Sequence, residues 1–454
     1  MDRSQASSVD DDQAARRYAW YVVALLTLVQ ITSYVDRFLP SLLIDPIKHD
    51  LALTDFQIGL LIGPAFGVFY VLMGVPLGWL ADRLNRRSML AGGIAVWSLM
   101  TAAGSLATSF AALFGARLGV GLGEATVAPC AISMISDYFP RARRSRAMSL
   151  FMSGTFLGAG LAFLVGGPFV HMMSAWPDTV VPGIGKLRPW QLTFLIMGLP
   201  GLVLALLMFT IREPRRLERT TAGVAGTLRE AGGYVALRWR AFGTLFLASA
   251  CTVTLGSLSF WNITLFSRNF GWNVREVGIA TGALFLAGGL TGTLLGIRLT
   301  NRAVAARRPD ATLRALWFGL LIAVPGFALY PAMPSAQLAL VPMFFGFVGQ
   351  AMAAAAGPAS ISLIAPGQIR SQAIAIYYLV ISVSGQLLGP PPVGAMTDLF
   401  GDPAKLHIAM TIEALVIGLP GLILVRLGMP AFARQVTKLE SEIATHQKLA
   451  APHG

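Results

Sequence analysis

Charge is what this chain has least of. Asp, Glu, Lys and Arg make up 13% of its 454 residues, against about 25% in a soluble domain. With 55% of residues hydrophobic and a mean hydropathy of +0.65, too little charge remains to cover a water-facing surface. A soluble enzyme, a disordered chain and a collagen-like fibre are excluded, and a polytopic membrane protein is expected. Cysteine is equally scarce. Cys130 and Cys251 both fall inside apolar segments, so neither a disulfide framework nor a metal-ligand spacing exists. The five histidines (His49, His171, His407, His446 and His453) are scattered, and no metal or other cofactor is expected. No G-x-x-x-x-G-K-[ST] run supports ATP-driven work, and no nucleophile–base cluster supports an intramembrane enzyme. The N-terminus lacks the short apolar core of a signal peptide, and neither end carries a lipidation motif.

Long apolar runs are abundant instead. They fall at 18–44, 55–83, 87–108, 110–138, 146–171, 190–211, 239–267, 276–299, 312–331, 336–365, 371–399 and 405–428, here called helices 1 to 12. Each is long enough to span a bilayer. Backbone polar groups in lipid must be satisfied within the segment, so the spacing predicts an all-α membrane protein. The net charge of +13 follows the same plan. Arg16, Arg17, Arg83, Arg86, Arg87, the four arginines of 141–146, the arginines of 212–240, Arg302, Arg307, Arg308 and Arg370 fall on one side of the alternating loops. Lys48, Lys186, Arg188, Arg268, Arg275 and Lys405 fall on the other. This bias places both termini in the cytoplasm, expectedly at a plasma (inner) membrane, and makes the lipid bilayer rather than nucleic acid the partner of the charge. A single chain is expected to act alone.

Stretch 212–238 is the one long polar segment between helices. It divides the chain into an N-terminal tail (1–17), two bundles of six helices (18–211 and 239–430) and a C-terminal tail (431–454), which can form a short surface helix or lie as a solvated tail. The bundles repeat. Ala128-Pro129-Cys130-Ala131-Ile132-Ser133 in helix 4 aligns with Gly357-Pro358-Ala359-Ser360-Ile361-Ser362 in helix 10, and Arg144-Ser145-Arg146-Ala147 with Arg370-Ser371-Gln372-Ala373. The two offsets are nearly equal and close to half the chain, which indicates an internal duplication.

The loop between helices 2 and 3 reads Gly78-Trp79-Leu80-Ala81-Asp82-Arg83-Leu84-Asn85-Arg86-Arg87. An acid at a helix end can pair with arginine or cap a neighbouring helix, so Gly78, Asp82, Arg83, Arg86, Arg87 and the downstream Arg144 form a candidate conformational latch. The plainer reading is a solvated basic loop. Asn85, like glycine, tolerates a left-handed turn. Helix 4 carries Arg117-x-x-x-Gly121-x-Gly123-Glu124, and helix 1 carries Tyr34-Val35-Asp36-Arg37-Phe38. Charges at a helix centre cost about 2.5–3.5 kcal/mol each, so these must pair or face a watery cavity. By rise per residue, Asp36, Arg37 and Arg117 reach one level of the membrane, with Glu124 deeper. A carboxyl in low dielectric can cycle a proton while a nearby arginine holds an anion. Asp36 and Glu124 are therefore candidate proton carriers, and Arg37 and Arg117, with Tyr34, candidate substrate contacts. A structural ion pair tying helix 1 to helix 4 is the alternative. In the second bundle Phe260, Trp261, Asn262, Tyr377 and Glu413 are candidate cavity residues. The glycine runs of helix 5 (Gly154, Gly158, Ala159, Gly160) and helix 11 (Gly385, Gly389, Pro390) read as close packing with a kink.

Two six-helix halves in parallel repeat and the Gly78–Arg87 loop resemble the major facilitator superfamily, which implies a twelve-helix fold rocking about a central site. Tyr34-Val35-Asp36-Arg37-Phe38, the Gly92–Leu99 run, Arg117 with Gly121, Gly123 and Glu124, and Arg143–Ser149 resemble its spinster branch. That resemblance implies proton-coupled transport of a lysolipid or sphingoid phosphate, with Asp36 and Glu124 handling protons and Arg37 and Arg117 meeting the anionic headgroup. A small-organic-anion symporter or drug/proton exporter, and a ligand receptor of the same fold without turnover, are the other readings.

Overall fold

The computed structural model describes residues 3–214, 216 and 228–450. The twelve predicted segments are all helical. Eleven stretches of the described residues are long and apolar enough to cross a membrane. The remaining predicted helix, Arg86–Gly104, has 19 residues and opens on two arginines.

Several helices are broken, and the breaks follow the repeat. Helix 4 runs Phe110–Glu124 and resumes at Val127–Tyr138, while helix 10 runs Ala336–Ala354 and resumes at Ala356–Ile364. Pro129 and Pro358 cannot donate to the carbonyls four residues earlier, which loosens each helix at the matching place. Helix 11 likewise stops at Leu387 and restarts at Pro390, where proline suits a first helical turn. Helix 5 breaks at Val165. The expected kink in helix 11 is present, and the glycines of helix 5 pack closely: a Cβ on Gly158 would lie 2.7 Å from the Cβ of Tyr34.

Contacts gather the chain into two compact units. The first holds Met1–Leu53, Pro64–Arg219 and Asn273–Gly282; the second holds Thr54–Gly63, Thr220–Trp272 and Ala283–Gly454. The division departs from a clean cut at the linker because the starts of helices 2 and 8 are each exchanged. In the second unit a Cβ on Gly59 would sit 2.7 Å from the Pro390 carbonyl oxygen. In the first unit a Cβ on Gly278 would sit 2.7 Å from the Gly167 Cα. Glycine at these points lets backbone meet backbone.

One feature was not expected. Between helices 5 and 6, Thr179–Val181 pairs antiparallel with Gly185–Leu187 in a small hairpin turned by Pro182-Gly183. The C-terminal segment forms a helix, as its sequence allows, but it is packed through Leu439 and not solvated there. Helix 12 belongs to one helix, Leu406–Ala450, that buries Phe432, Val436 and Leu439. Gln435 Nε2 donates to Tyr234 Oη at 2.8 Å and to the Ile364 carbonyl at 3.4 Å. The tail thus closes the open carbonyl end of helix 10 and ties it to a linker helix, Leu228–Leu237. Burial pushes the Tyr234 phenol up from its ordinary value.

Candidate functional site

Helix 4 organises the first unit through its glycines. A Cβ on Gly121 would run into the Phe66 carbonyl oxygen of helix 2, and one on Gly123 would lie 2.6 Å from the Gly93 carbonyl oxygen of helix 3. The motif Arg117-x-x-x-Gly121-x-Gly123-Glu124 therefore draws helices 2 and 3 against helix 4 and carries its two charges into the space they enclose.

Four charges meet there. Asp36 accepts from Thr101 Oγ1 at 2.8 Å through both carboxylate oxygens, and its Oδ2 lies 3.8 Å from Arg117 Nη1. Arg37 Nη2 donates to Glu124 Oε2 at 2.9 Å, and Ser33 Oγ donates to the same oxygen at 2.7 Å. Two neighbouring residues of helix 1 thus face two charges of helix 4 one turn or more apart.

The two pairs are not equivalent. The Arg37 guanidinium lies 4.5, 4.4 and 4.9 Å from the ring centroids of Tyr34, Phe66 and Tyr70, a three-sided aromatic cage with Glu124 alongside. Cation–π contact in a desolvated site stabilises by about 2 kcal/mol or more. Arg117 is 1% exposed, yet none of its three guanidinium nitrogens has a hydrogen-bond partner among the described residues. Glu124 Oε1 is also without one. Leaving such groups unmet costs about 1–3 kcal/mol each, more for charged ones. Arg37 is held by Glu124 and three rings with its Nε left unpartnered among the described residues, whereas all three Arg117 nitrogens are unpartnered there.

The loop after helix 2 is tied within the first unit by Arg86. Its guanidinium, buried, donates to Glu213 Oε1 at 2.7 Å, to Ser133 Oγ at 2.7 Å, to Asp137 Oδ2 and to the Pro214 carbonyl at 3.1 Å. Arg87 N donates to Glu213 Oε2 at 3.0 Å. Asp137 and Glu213 are partners of Arg86 that the loop motif does not reveal. Ser133 and Asp137, four apart at the end of helix 4, were the available signal. Asp82 is exposed, with no side-chain bond among the described residues. Arg83 stacks on Trp79 at 3.5 Å, and Gly78 faces open space. Asn85 has φ of −70° and caps helix 3 through Ser88 N, so it acts as an N-cap and not as a left-handed turn residue. Arg144 donates to the Ser136 carbonyl at 2.8 Å.

In the second unit the candidates are dispersed within a packed interior. Trp261 is fully buried and donates to the Pro390 carbonyl at 3.2 Å. Phe260 is buried beside it in sequence, and Tyr377 is buried against Phe246 at 5.6 Å. Asn262 Oδ1 accepts from Tyr330 at 2.8 Å while its Nδ2 has no partner among the described residues. Glu413 is buried, with Oε1 unpartnered and no cation paired to it among the described residues. Sequence reasoning missed Thr101, Ser33, Phe66 and Tyr70, neutral residues that give no signal in apolar helices.

Comparison with known proteins adds independent observations. The Major Facilitator Superfamily profile matches residues 26–390. An MFS-type efflux pump of Mycolicibacterium smegmatis is 30% identical over 87% of this chain and 89% of its own length. Protein spinster of Drosophila melanogaster is 26% identical over 68% of this chain, which spans 50% of that longer protein. A crystal structure of a bacterial homologue of the human lysosomal transporter Spinster, inward-facing and unoccupied, superposes with a TM-score of 0.79. It is 27% identical and covers 93% of this chain and 98% of that one.

Proposed function

This chain belongs to the major facilitator superfamily, as a spinster-like member, and we propose that it is a proton-coupled secondary transporter of an amphipathic anion. The observation that carries the reading is Arg117: a buried guanidinium with every donor unassigned, 3.8 Å from the Asp36 carboxylate. An anionic oxygen, such as the phosphate of a lysophospholipid or sphingoid phosphate, satisfies those donors. It then competes with Asp36 for the cation. Once Arg117 turns to the substrate, Asp36 loses its counter-charge in a low-dielectric site and takes up a proton. Anion binding and proton uptake are thereby coupled at one guanidinium without a separate relay. Glu124, with one oxygen held by Arg37 and Ser33 and the other free, is the second proton position. Phe260, Trp261, Asn262, Tyr377 and Glu413 of the second unit stand as further candidate substrate contacts, each buried among apolar neighbours. Alternating access with the Gly78–Arg87 loop as latch, both termini cytoplasmic, a plasma-membrane location and action as a single chain complete the proposal.

The test is flux of lysophospholipid and sphingoid phosphate in proteoliposomes with and without an imposed pH gradient. Gradient-dependent lipid movement is expected. A second reading, export of drugs or small organic anions, is favoured by the mycobacterial efflux pump similar over nearly its whole length. Absence of lipid movement, with dye-reported proton flux on adding small anions or drugs, overturns the first reading in favour of the second.

A further inference from the structure

The ends of helices 1 and 6 meet in the first unit in a way that transport does not require. Helix 1 exposes Arg17, Tyr21, Ala24 and Leu28, a stripe at helical spacing. Helix 6 exposes Leu199, Val203, Leu206 and Thr210, with Leu206 at 70%. The stripes converge where Tyr21 Oη and Thr210 Oγ1 hydrogen-bond at 2.6 Å. Below that point the chain is fixed: Arg212 N donates to Tyr18 Oη at 2.6 Å, and Arg87 Nη1 donates to the Ile211 carbonyl at 3.3 Å. Arg212 is exposed, with its guanidinium 5.9 Å from the Tyr18 ring, and Arg87 lies 5.6 Å from the ring of exposed Phe209. Arg86, the neighbouring cation, is already neutralised by Asp137 and Glu213. Two apolar stripes thus end together at a fixed rim of tyrosines and arginines.

We infer that this seam is a binding site for an anionic phospholipid: the acyl chains lie along Leu28, Val203 and Leu206, and the headgroup phosphate docks on Arg17 and Arg212, with Arg87 behind. Amphipathic rings at headgroup depth and cations beyond them match the two ends of such a lipid in order. Charge complementarity selects an anionic headgroup over a zwitterionic one, since each arginine near the surface favours the anion about five-fold. The inference does not rest on the transported substrate.

Native mass spectrometry of the full chain, released from mixed phosphatidylglycerol and phosphatidylcholine bilayers, tests it. The wild type is expected to retain phosphatidylglycerol preferentially. Arg17→Gln with Arg212→Gln lowers that preference at least five-fold, with retention volume and melting unchanged because both side chains are exposed. Arg143→Gln with Arg146→Gln removes the same charge elsewhere and leaves the preference intact. Equal retention of the two lipids by wild type, or an equal loss in both double variants, overturns the site.

Discussion

The same scaffold carries opposite interiors in its two units. In the first, helix 4 places Arg117 and Glu124 among Asp36, Arg37 and Thr101. In the second, the positions at the repeat offset are Gly346 and Ala353, and they are sealed by close packing. A Cβ on Gly319 would lie 2.6 Å from Ala353 N, and one on Gly346 would touch the Phe327 ring at 3.4 Å. Duplication thus supplied helix breaks and packing to both units, while charge was placed in one. The comparison teaches that the broken helices belong to the repeated fold, while the charged cluster at these helix positions is particular to the first unit.

Variants break this contrast from its strongest point outward. Arg37→Ala strips the cage and leaves Glu124 buried without its cation, a loss of about 3–5 kcal/mol. The melting temperature in detergent is expected to fall sharply. Arg117→Met, which removes a guanidinium making no hydrogen bonds, is expected to abolish flux while lowering that melting temperature much less. Equal destabilisation by the two would erase the distinction between a locked and an available arginine. Gly121→Val wedges helix 4 away from Phe66 and is expected to cost about 1–3 kcal/mol in unfolding measurements. Gly78→Ala, facing open space, is expected to stay within about 0.5 kcal/mol in the same assay. The smallest effect belongs to the second unit. Glu413→Gln keeps shape and polarity at a carboxyl with no paired cation, and gradient-driven flux is expected to stay within about two-fold of wild type, under 0.5 kcal/mol. A larger drop would give the second unit a charge role of its own.

Much of this was legible in the sequence, and the limits are physical. Length and hydropathy mark all twelve helices because lipid leaves no other conformation for such runs. The fixed rise per residue predicts that helix 1 and helix 4 bring their charges near one another; the structure joins Asp36 to Arg117 and carries the Arg37 guanidinium to Glu124, the residue expected deeper. Which charge faces which partner depends on how helices are rotated and packed, and no periodicity encodes that. Phe66 and Tyr70 look like any aromatics in an apolar helix until Gly121 brings them to Arg37. Asp137 and Glu213 lie 51 and 127 residues from Arg86 and meet it only through the fold. Asn85 was readable as a cap, since it stands directly before a helix and three residues before Ser88. The C-terminal helix was legible but its packing was not, because its buried apolar residues, Phe432, Val436 and Leu439, are sparse.

The central claim is that anion binding and proton uptake are coupled at the Asp36–Arg117 pair. The direct measurement is dye-reported proton movement on adding substrate to proteoliposomes, for wild type, Asp36→Asn and Glu124→Gln. The account predicts substrate-driven proton movement in wild type and a loss of about ten-fold or more, roughly 1.4 kcal/mol of coupling, in Asp36→Asn, with a weaker loss in Glu124→Gln. Unchanged proton movement and unchanged pH dependence in both variants would contradict it.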